Sequence, residues 1–269
     1  MTTIRKAAVA GLFYPDDAQQ LQSWFKDWMP SQTVENLEKA IPRALIVPHA
    51  GYVYSGQAAA KAYQSWQNSA DKIKTVVVIG PAHRVAFEGI TTLSVDALET
   101  PLGHIDMDTE LRETLLQKFN HLTLSDFAQR EEHSIEVQLP FIKYLLPNTK
   151  VLPLLNGQVD ALDVTAILDY LWQQEGVYFV ISSDLSHFHT YEKAQKMDQQ
   201  TAKMIEHFDW QNLTGERACG YKGIQSILAL KSKIPILLQQ LELINSGDTL
   251  GDRQRVVGYG AWAVFEEGS

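Results

Sequence analysis

An α/β domain, with a central mostly parallel or mixed sheet flanked by helices, is the fold class this sequence predicts. Three observations predict it. Short β-branched runs are continuously apolar rather than alternating, which marks strands covered on both faces. Segments with apolar residues at helical spacing lie between those runs. Strand and helix patterns therefore alternate along most of the chain, as in folds built on a parallel sheet.

In chain order, residues 44–47 read as the first strand, and a helix over 57–66 follows Ser55, a candidate cap. A strand over 75–79 precedes a helix over 108–119, which starts with acids and repeats through Leu111, Leu115 and Leu116. Residues 135–146 place Ile135, Leu139, Ile142 and Leu146 on one helical face, with a kink expected at Pro140. Strands over 151–155 and 177–181 flank a helix over 160–174. The helix over 192–208 sets Ala194, Met197, Thr201, Met204, Ile205 and Phe208 at core spacing, so its methionines read as packing and not as ligands. A short helical run covers 224–230. Extended segments over 236–245 and 256–265, joined by the polar loop 246–255, read as an antiparallel pair at a sheet edge. Prolines and glycines are dispersed and no linker stands out, so one domain is expected over 1–269.

Composition narrows the function. With 23 Lys and Arg against 32 Asp and Glu, the net charge is −9, unsuited to nonspecific binding of a phosphate backbone, and no nucleic-acid partner is expected. No apolar stretch is long enough to span a bilayer, and the N-terminal sequence lacks the apolar core of a signal peptide, so a cytoplasmic protein without membrane contact is expected. The single cysteine, Cys219, excludes an internal disulfide and a CxxC zinc ribbon.

The eight histidines are unevenly placed. Strand 44–47 runs into Pro48-His49-Ala50-Gly51-Tyr52, strand 75–79 into Gly80-Pro81-Ala82-His83, and strand 177–181 into Ser182-Ser183-Asp184-Leu185-Ser186-His187. Open α/β sheets bind ligands outside the carboxyl ends of their strands, so these three histidines can converge. Imidazole is both the commonest side-chain metal ligand and the usual acid/base near neutral pH. His133, in Glu131-Glu132-His133-Ser134, precedes a predicted helix that Ser134 can cap. Two readings stay open there: His133 faces the same cleft, or Glu132 and Glu136 simply solvate a helix start. His104, His121, His189 and His207 lack such a context. Cys219 lies just ahead of the run 224–230, where a helix N-terminus can favour thiolate; a buried small apolar residue is the alternative.

Taken together, Pro48-His49-Ala-Gly-Tyr, Gly80-Pro81-Ala-His83, Glu132-His133-Ser-Ile-Glu-Val-Gln-Leu-Pro140, Ser182-Ser-Asp-Leu-Ser-His187, Ala218-Cys219-Gly220, Ser246-Gly-Asp-Thr-Leu-Gly-Asp252 and Val257-Gly-Tyr-Gly-Ala261 resemble, in this order, the Memo family, also called AmmeMemoRadiSam system protein B. The resemblance implies a fold similar to class III extradiol dioxygenases, non-haem iron enzymes that hold Fe(II) with two histidines and a carboxylate. It makes His49, His83 and Cys219 the metal-site candidates. It gives His187 the position of the dioxygenase acid/base and His133 that of a further active-site histidine, and leaves Asp184 to orient a neighbour or enter the metal's shell. Iron is the cofactor it implies, with copper or zinc as alternatives, because a thiolate in place of the carboxylate favours softer metals. The family name further implies radical-SAM and AMMECR-type protein partners beside an unknown small-molecule substrate. The chain departs from the family after the cysteine: Cys219-Gly-Tyr-Lys-Gly-Ile lacks the usual proline, and Lys222 stands near the site.

Three functions follow as expectations. The first is a metal-dependent redox protein or oxidoreductase, with His187 and His133 moving protons. The second is a thiol hydrolase or transferase, with Cys219 as nucleophile, His187 as base and Asp184 orienting it. The third is a non-catalytic binding or accessory protein of a radical-SAM-linked system.

Overall fold

The computed structural model describes residues 2–30 and 40–267. Its elements, in order, are β1 (Ile4–Arg5), α1 (Ala18–Trp28), β2 (Ala44–Val47), α2 (Tyr52–Tyr63), β3 (Thr75–Pro81), β4 (Ile90–Thr92), β5 (Ala97–Thr100), β6 (Gly103–Asp106), α3 (Thr109–Lys118), β7 (Leu122–Leu124), α4 (Asp126–Gln129), α5 (Leu139–Leu145), β8 (Lys150–Asn156), α6 (Ala161–Trp172), β9 (Val177–Ser182), β10 (His187–His189), α7 (Tyr191–Glu206), α8 (Tyr221–Ala229), β11 (Ile236–Asn245) and β12 (Val256–Glu266).

Nine strands form the main sheet in the order β10-β12-β2-β9-β3-β8-β4-β7, with β11 also paired to β12. Its centre, β2-β9-β3-β8, is parallel throughout. The β12–β2 and β4–β8 pairs are antiparallel, which makes the whole sheet mixed. The central strands are buried on both faces, as their unbroken Val, Ile and Leu runs require. Register puts Val47 beside Ser182 and Ile79 beside Ile181, so β2, β9 and β3 end side by side. A smaller sheet, β1-β5-β6, is joined to β8 by the bridge between Met107 and Val151. No helix among the described residues is long and apolar enough to cross a membrane.

Several helix starts differ from the expectation. Helix α2 begins at Tyr52, with Gly51 as N-cap, because the chain turns directly out of β2 and the Tyr52 amide is held by Phe13 O at 2.7 Å. Ser55 therefore lies inside the helix, and its hydroxyl donates back to Ala50 O and caps nothing. The segment 135–146 is not one kinked helix. A 3-10 turn over Glu136–Gln138 leads into α5, where Pro140 occupies the first turn, the position at which no amide hydrogen is needed. Ser134 does not cap it; its hydroxyl donates to Pro81 O at 2.8 Å and ties this segment to the end of β3. The expected pairing of the last two strands is present, with a register shift between Gln240 and Glu242.

Candidate metal centre

The edge where β2, β9 and β3 end carries three of the predicted residues within a few positions of each strand: His49, His83 and Asp184. His133 arrives from a different direction, on the segment before α5. His49, His83 and His133 each offer a ring nitrogen, and these atoms all lie within 4.8 Å of one another. Ring centroids are 5.2 Å apart for His49 and His83, 5.4 Å for His49 and His133, and 4.7 Å for His83 and His133. Phe13 packs on the His133 ring at 4.5 Å.

The surrounding oxygens decide which nitrogens face inward. Ser182 Oγ donates its one proton to Ser134 O at 2.5 Å and accepts from Gln138 Nε2 at 2.9 Å. The third contact, His49 Nδ1 at 3.0 Å, must then be an N–H donor, which leaves the lone pair on His49 Nε2. Gln138 is oriented by its other bonds: Nε2 also donates to Pro48 O and Oε1 accepts from Tyr63. His83 Nδ1 lies 2.9 Å from Glu132 Oε1, an acceptor, so His83 too presents Nε2. His187 Nδ1 donates to Leu185 O at 2.8 Å, with the same consequence. His133 Nδ1 comes within 3.2 Å of Glu132 Oε1 but lacks hydrogen-bond geometry, so no partner fixes its tautomer.

Glu132 organises one side of this cluster. It is 2% exposed, which corrects the reading of Glu132 and Glu136 as solvated acids at a helix start. Its carboxylate accepts from the amides of His83, His133 and Ser134 as well as from the His83 ring. Burial alone would raise its pKa, but these hydrogen bonds and the neighbouring His83 hold it down at about 2. Glu136, 1% exposed, pairs with Arg5 and accepts from Tyr14 and the amides of Ala8 and Val9. The two acids thereby fix the His133 segment, one to β3 and the other to the N-terminal strand.

Cys219 Sγ is 3.2 Å from His49 Nε2 and 3.7 Å from Asp184 O. It stands just before α8, yet the thiol is pushed up to about 12, by burial first and by Asp184 second. Of the two readings open for Cys219, the lowering by the helix start is thus overridden, because desolvation acts on the whole charge whereas the helix end carries a fraction of one. Asp184 is itself raised to about 6 by burial, against the hydrogen bonds its Oδ1 accepts from the amides of His49, at 2.7 Å, and Ala50. Asp184 thereby holds the turn that presents His49. His187 lies on β10, outside the three-histidine group. The triad of Cys219, His187 and Asp184 is not formed: the histidine touching the thiol is His49, and the His187 Nδ1 partner is a backbone carbonyl. His104 faces Glu99 at 3.9 Å, and His207 Nδ1 donates to Lys203 O, away from the cluster.

Burial, with its neighbours His83 and His133, lowers His49 well below the ordinary histidine value. Burial likewise lowers His133 to about 4, with Glu132 opposing and His83 adding. The folded chain therefore refuses a proton that the unfolded chain takes below about pH 6.5. The stability tied to His133 is complete above that pH and declines as pH falls towards 4. Relative to His133→Gln, metal-free wild type is expected to lose up to about 3 kcal/mol between pH 7 and pH 4 in urea unfolding. Parallel curves for the two proteins would refute a neutral His133.

A profile of the family described as Memo-like protein matches residues 5–263. A MEMO1 family protein of Aquifex aeolicus is 36% identical over 270 residues, covering 95% of this chain and 97% of the relative. One from Methanobrevibacter smithii is 35% identical, covering 98% and 100%, and one from Thermoplasma volcanium is 32% identical, covering 95% and 96%. A solved structure of an uncharacterized protein from Escherichia coli K12 aligns with a TM-score of 0.44 at 15% identity, over 82% of this chain and 98% of that one.

Proposed function

The chain belongs to the Memo family, and from that membership together with the histidine cluster we propose that it is a metal-binding redox protein with an Fe(II) site at the carboxyl edge of its sheet. The observation that carries this reading is the tautomer pattern. His49 and His83 are each held through Nδ1 by an oxygen and turn the Nε2 lone pair inward, that of His49 onto Cys219 Sγ, the arrangement of a histidine prepared for a metal. The residues present suit such an ion. His49 and His83 would hold it, with Cys219 against His49 as the thiolate ligand and His133 as a further nitrogen. Imidazole with thiolate favours iron, copper or zinc over magnesium or calcium. When bound, iron or copper would supply Lewis acidity and one-electron redox chemistry.

The remaining residues have roles that this chain sets by itself. Ser182, Gln138 and Glu132 orient the two imidazoles, and Asp184 fixes the backbone at His49. His187, half-buried with Nε2 free, can take or give a proton beside the cluster. Cys219 must lose its proton to become a ligand, so metal uptake releases a proton and strengthens as pH rises. Anaerobic titration of the purified chain with Fe(II) is expected to saturate at one ion per chain. Absence of saturable binding in reduced, freshly prepared protein would overturn the reading.

A further inference from the structure

His187 is carried by a turn that is fastened at almost every residue. Its Nδ1 donates to Leu185 O, two residues back, a bond that lasts only while the backbone over 185–187 keeps its curl. The curl is tied to β12 on both sides of Ser186. The Leu185 amide donates to Gly258 O at 2.8 Å, and the Gly258 amide donates to Ser186 O at 2.8 Å. His187 itself pairs with Val257, and the register shifts before His189. Phe188, between the two histidines, has φ of 61°, the left-handed region that a bulky side chain rarely adopts. It is 61% exposed, so burial of its ring does not offset the strain, and the surrounding structure must impose it.

The remaining bond of the turn comes from outside the sheet. The Ser186 amide donates to Asp198 Oδ1 at 3.0 Å. Asp198 projects from the middle of α7, which packs on β10 and β12. It is 2% exposed, and its Oδ2 has no hydrogen-bond partner among the described residues. Burial raises its pKa to about 6. A half-satisfied buried carboxyl is a poor choice for packing alone, where an apolar side chain of similar size would be more stable. Gly258 makes room for it, since a Cβ at that position would collide with Asp198 Oδ2.

We infer that Asp198 is the positioning residue for His187: through the Ser186 amide it holds the curl that fixes the Nδ1–H tautomer and leaves the Nε2 lone pair for proton transfer. Gly258 supplies the space in which the carboxyl sits. The use of His187 in proton transfer rests on the metal-centre reading above. The tautomer is a property of the metal-free chain, so the two can fail separately.

The test is a long-range proton–nitrogen correlation spectrum of the histidine rings in metal-free protein at pH 8, where ordinary histidines are neutral. Wild type is expected to show His187 as one tautomer, with Nδ1 at the shift of a protonated ring nitrogen and Nε2 at that of a bare one. Asp198→Ala should move the two shifts towards each other, the mark of mixed tautomers, while His49 and His83, held by Ser182 and Glu132, keep theirs. Asp198→Asn retains an oxygen acceptor for the Ser186 amide and should restore the single tautomer. Gly258→Ala, whose methyl displaces the carboxyl, should give the mixture with Asp198 still present, and takes the place of Asp198→Ala if that variant does not fold. A single His187 tautomer in Asp198→Ala or Gly258→Ala, or a mixture in Asp198→Asn, overturns the inference. Loss of the His49 and His83 tautomers in the same variants also overturns it, as general loosening of the site. The expected pattern in a protein that takes no Fe(II) would uphold the hold of Asp198 on His187 and remove the metal centre it serves.

Discussion

Replacing His49 by alanine should weaken Fe(II) binding by more than about a hundredfold, beyond what loss of an orienting residue around a metal costs. His49 is 2% exposed and faces three other members of the cluster: His83 and His133 at ring-centroid distances of 5.2 and 5.4 Å, and the Cys219 thiol at 3.2 Å from its Nε2. Removing its ring takes away one ligand and the group that holds the thiol in place. The hydrogen bond lost at Ser182 Oγ is partly compensated, since that hydroxyl keeps Gln138 and Ser134 O. The fold is therefore expected to survive, which far-UV and near-UV circular dichroism would check. His187→Ala serves as the contrast, because His187 lies outside the three-histidine group; its Fe(II) affinity should stay within about tenfold of wild type. If His49→Ala binds Fe(II) as tightly as wild type, the metal lies elsewhere.

The part of this site that was legible in the sequence is the part built on the sheet. A strand buried on both faces announces itself as an apolar run, and the residue that follows it is thereby placed at a known edge. His49 and His83 could be brought together on that ground alone. The residues that complete the site come from segments with no period of their own. Glu132 and Glu136 look like solvated acids because their burial depends on partners far away in sequence, the His83 ring and Arg5. Ser182 and Gln138 carry no metal-ligand chemistry, and only the bonds they make show that they set the His49 tautomer. Helix α1 is stabilised by the Asp17 cap and by burial of Leu21 and Phe25, a pattern present in the sequence but not assigned there. Strands β4 and β7 have three residues each, too short for periodicity to register. Cys219 shows a different limit: its position before a helix leaves open both a favoured thiolate and a buried thiol, and burial, which no local pattern reports, raises the pKa.

Glu132→Ala is expected to cost about 3–5 kcal/mol of stability at pH 7, the scale for removing one partner from a buried charged network. The carboxylate satisfies three backbone amides, those of His83, His133 and Ser134, at 2.6, 3.0 and 3.0 Å, and among the described residues no other acceptor reaches them. Water entering the vacated space would recover part of that loss, so the lower end of the range is the more natural result. The acid limb tells the electrostatic part apart from packing. The folded pKa of about 2 lies below the unfolded value of about 4.3, so the contribution of Glu132 is complete above that value and is lost as pH falls towards 2. The gap between wild type and Glu132→Ala in urea unfolding should therefore narrow as pH is lowered from 5 to 2, by up to about 3 kcal/mol. Glu132→Gln separates stability from ligand orientation. Its amide keeps the shape and one acceptor but sets an N–H group against a donor, so the His83 ring loses its firm partner while most packing remains. That variant should retain the fold and lose about 10- to 100-fold in Fe(II) affinity. Wild-type affinity in Glu132→Gln, with a full loss of stability in Glu132→Ala, would show that Glu132 holds the loop together without preparing His83 for a metal.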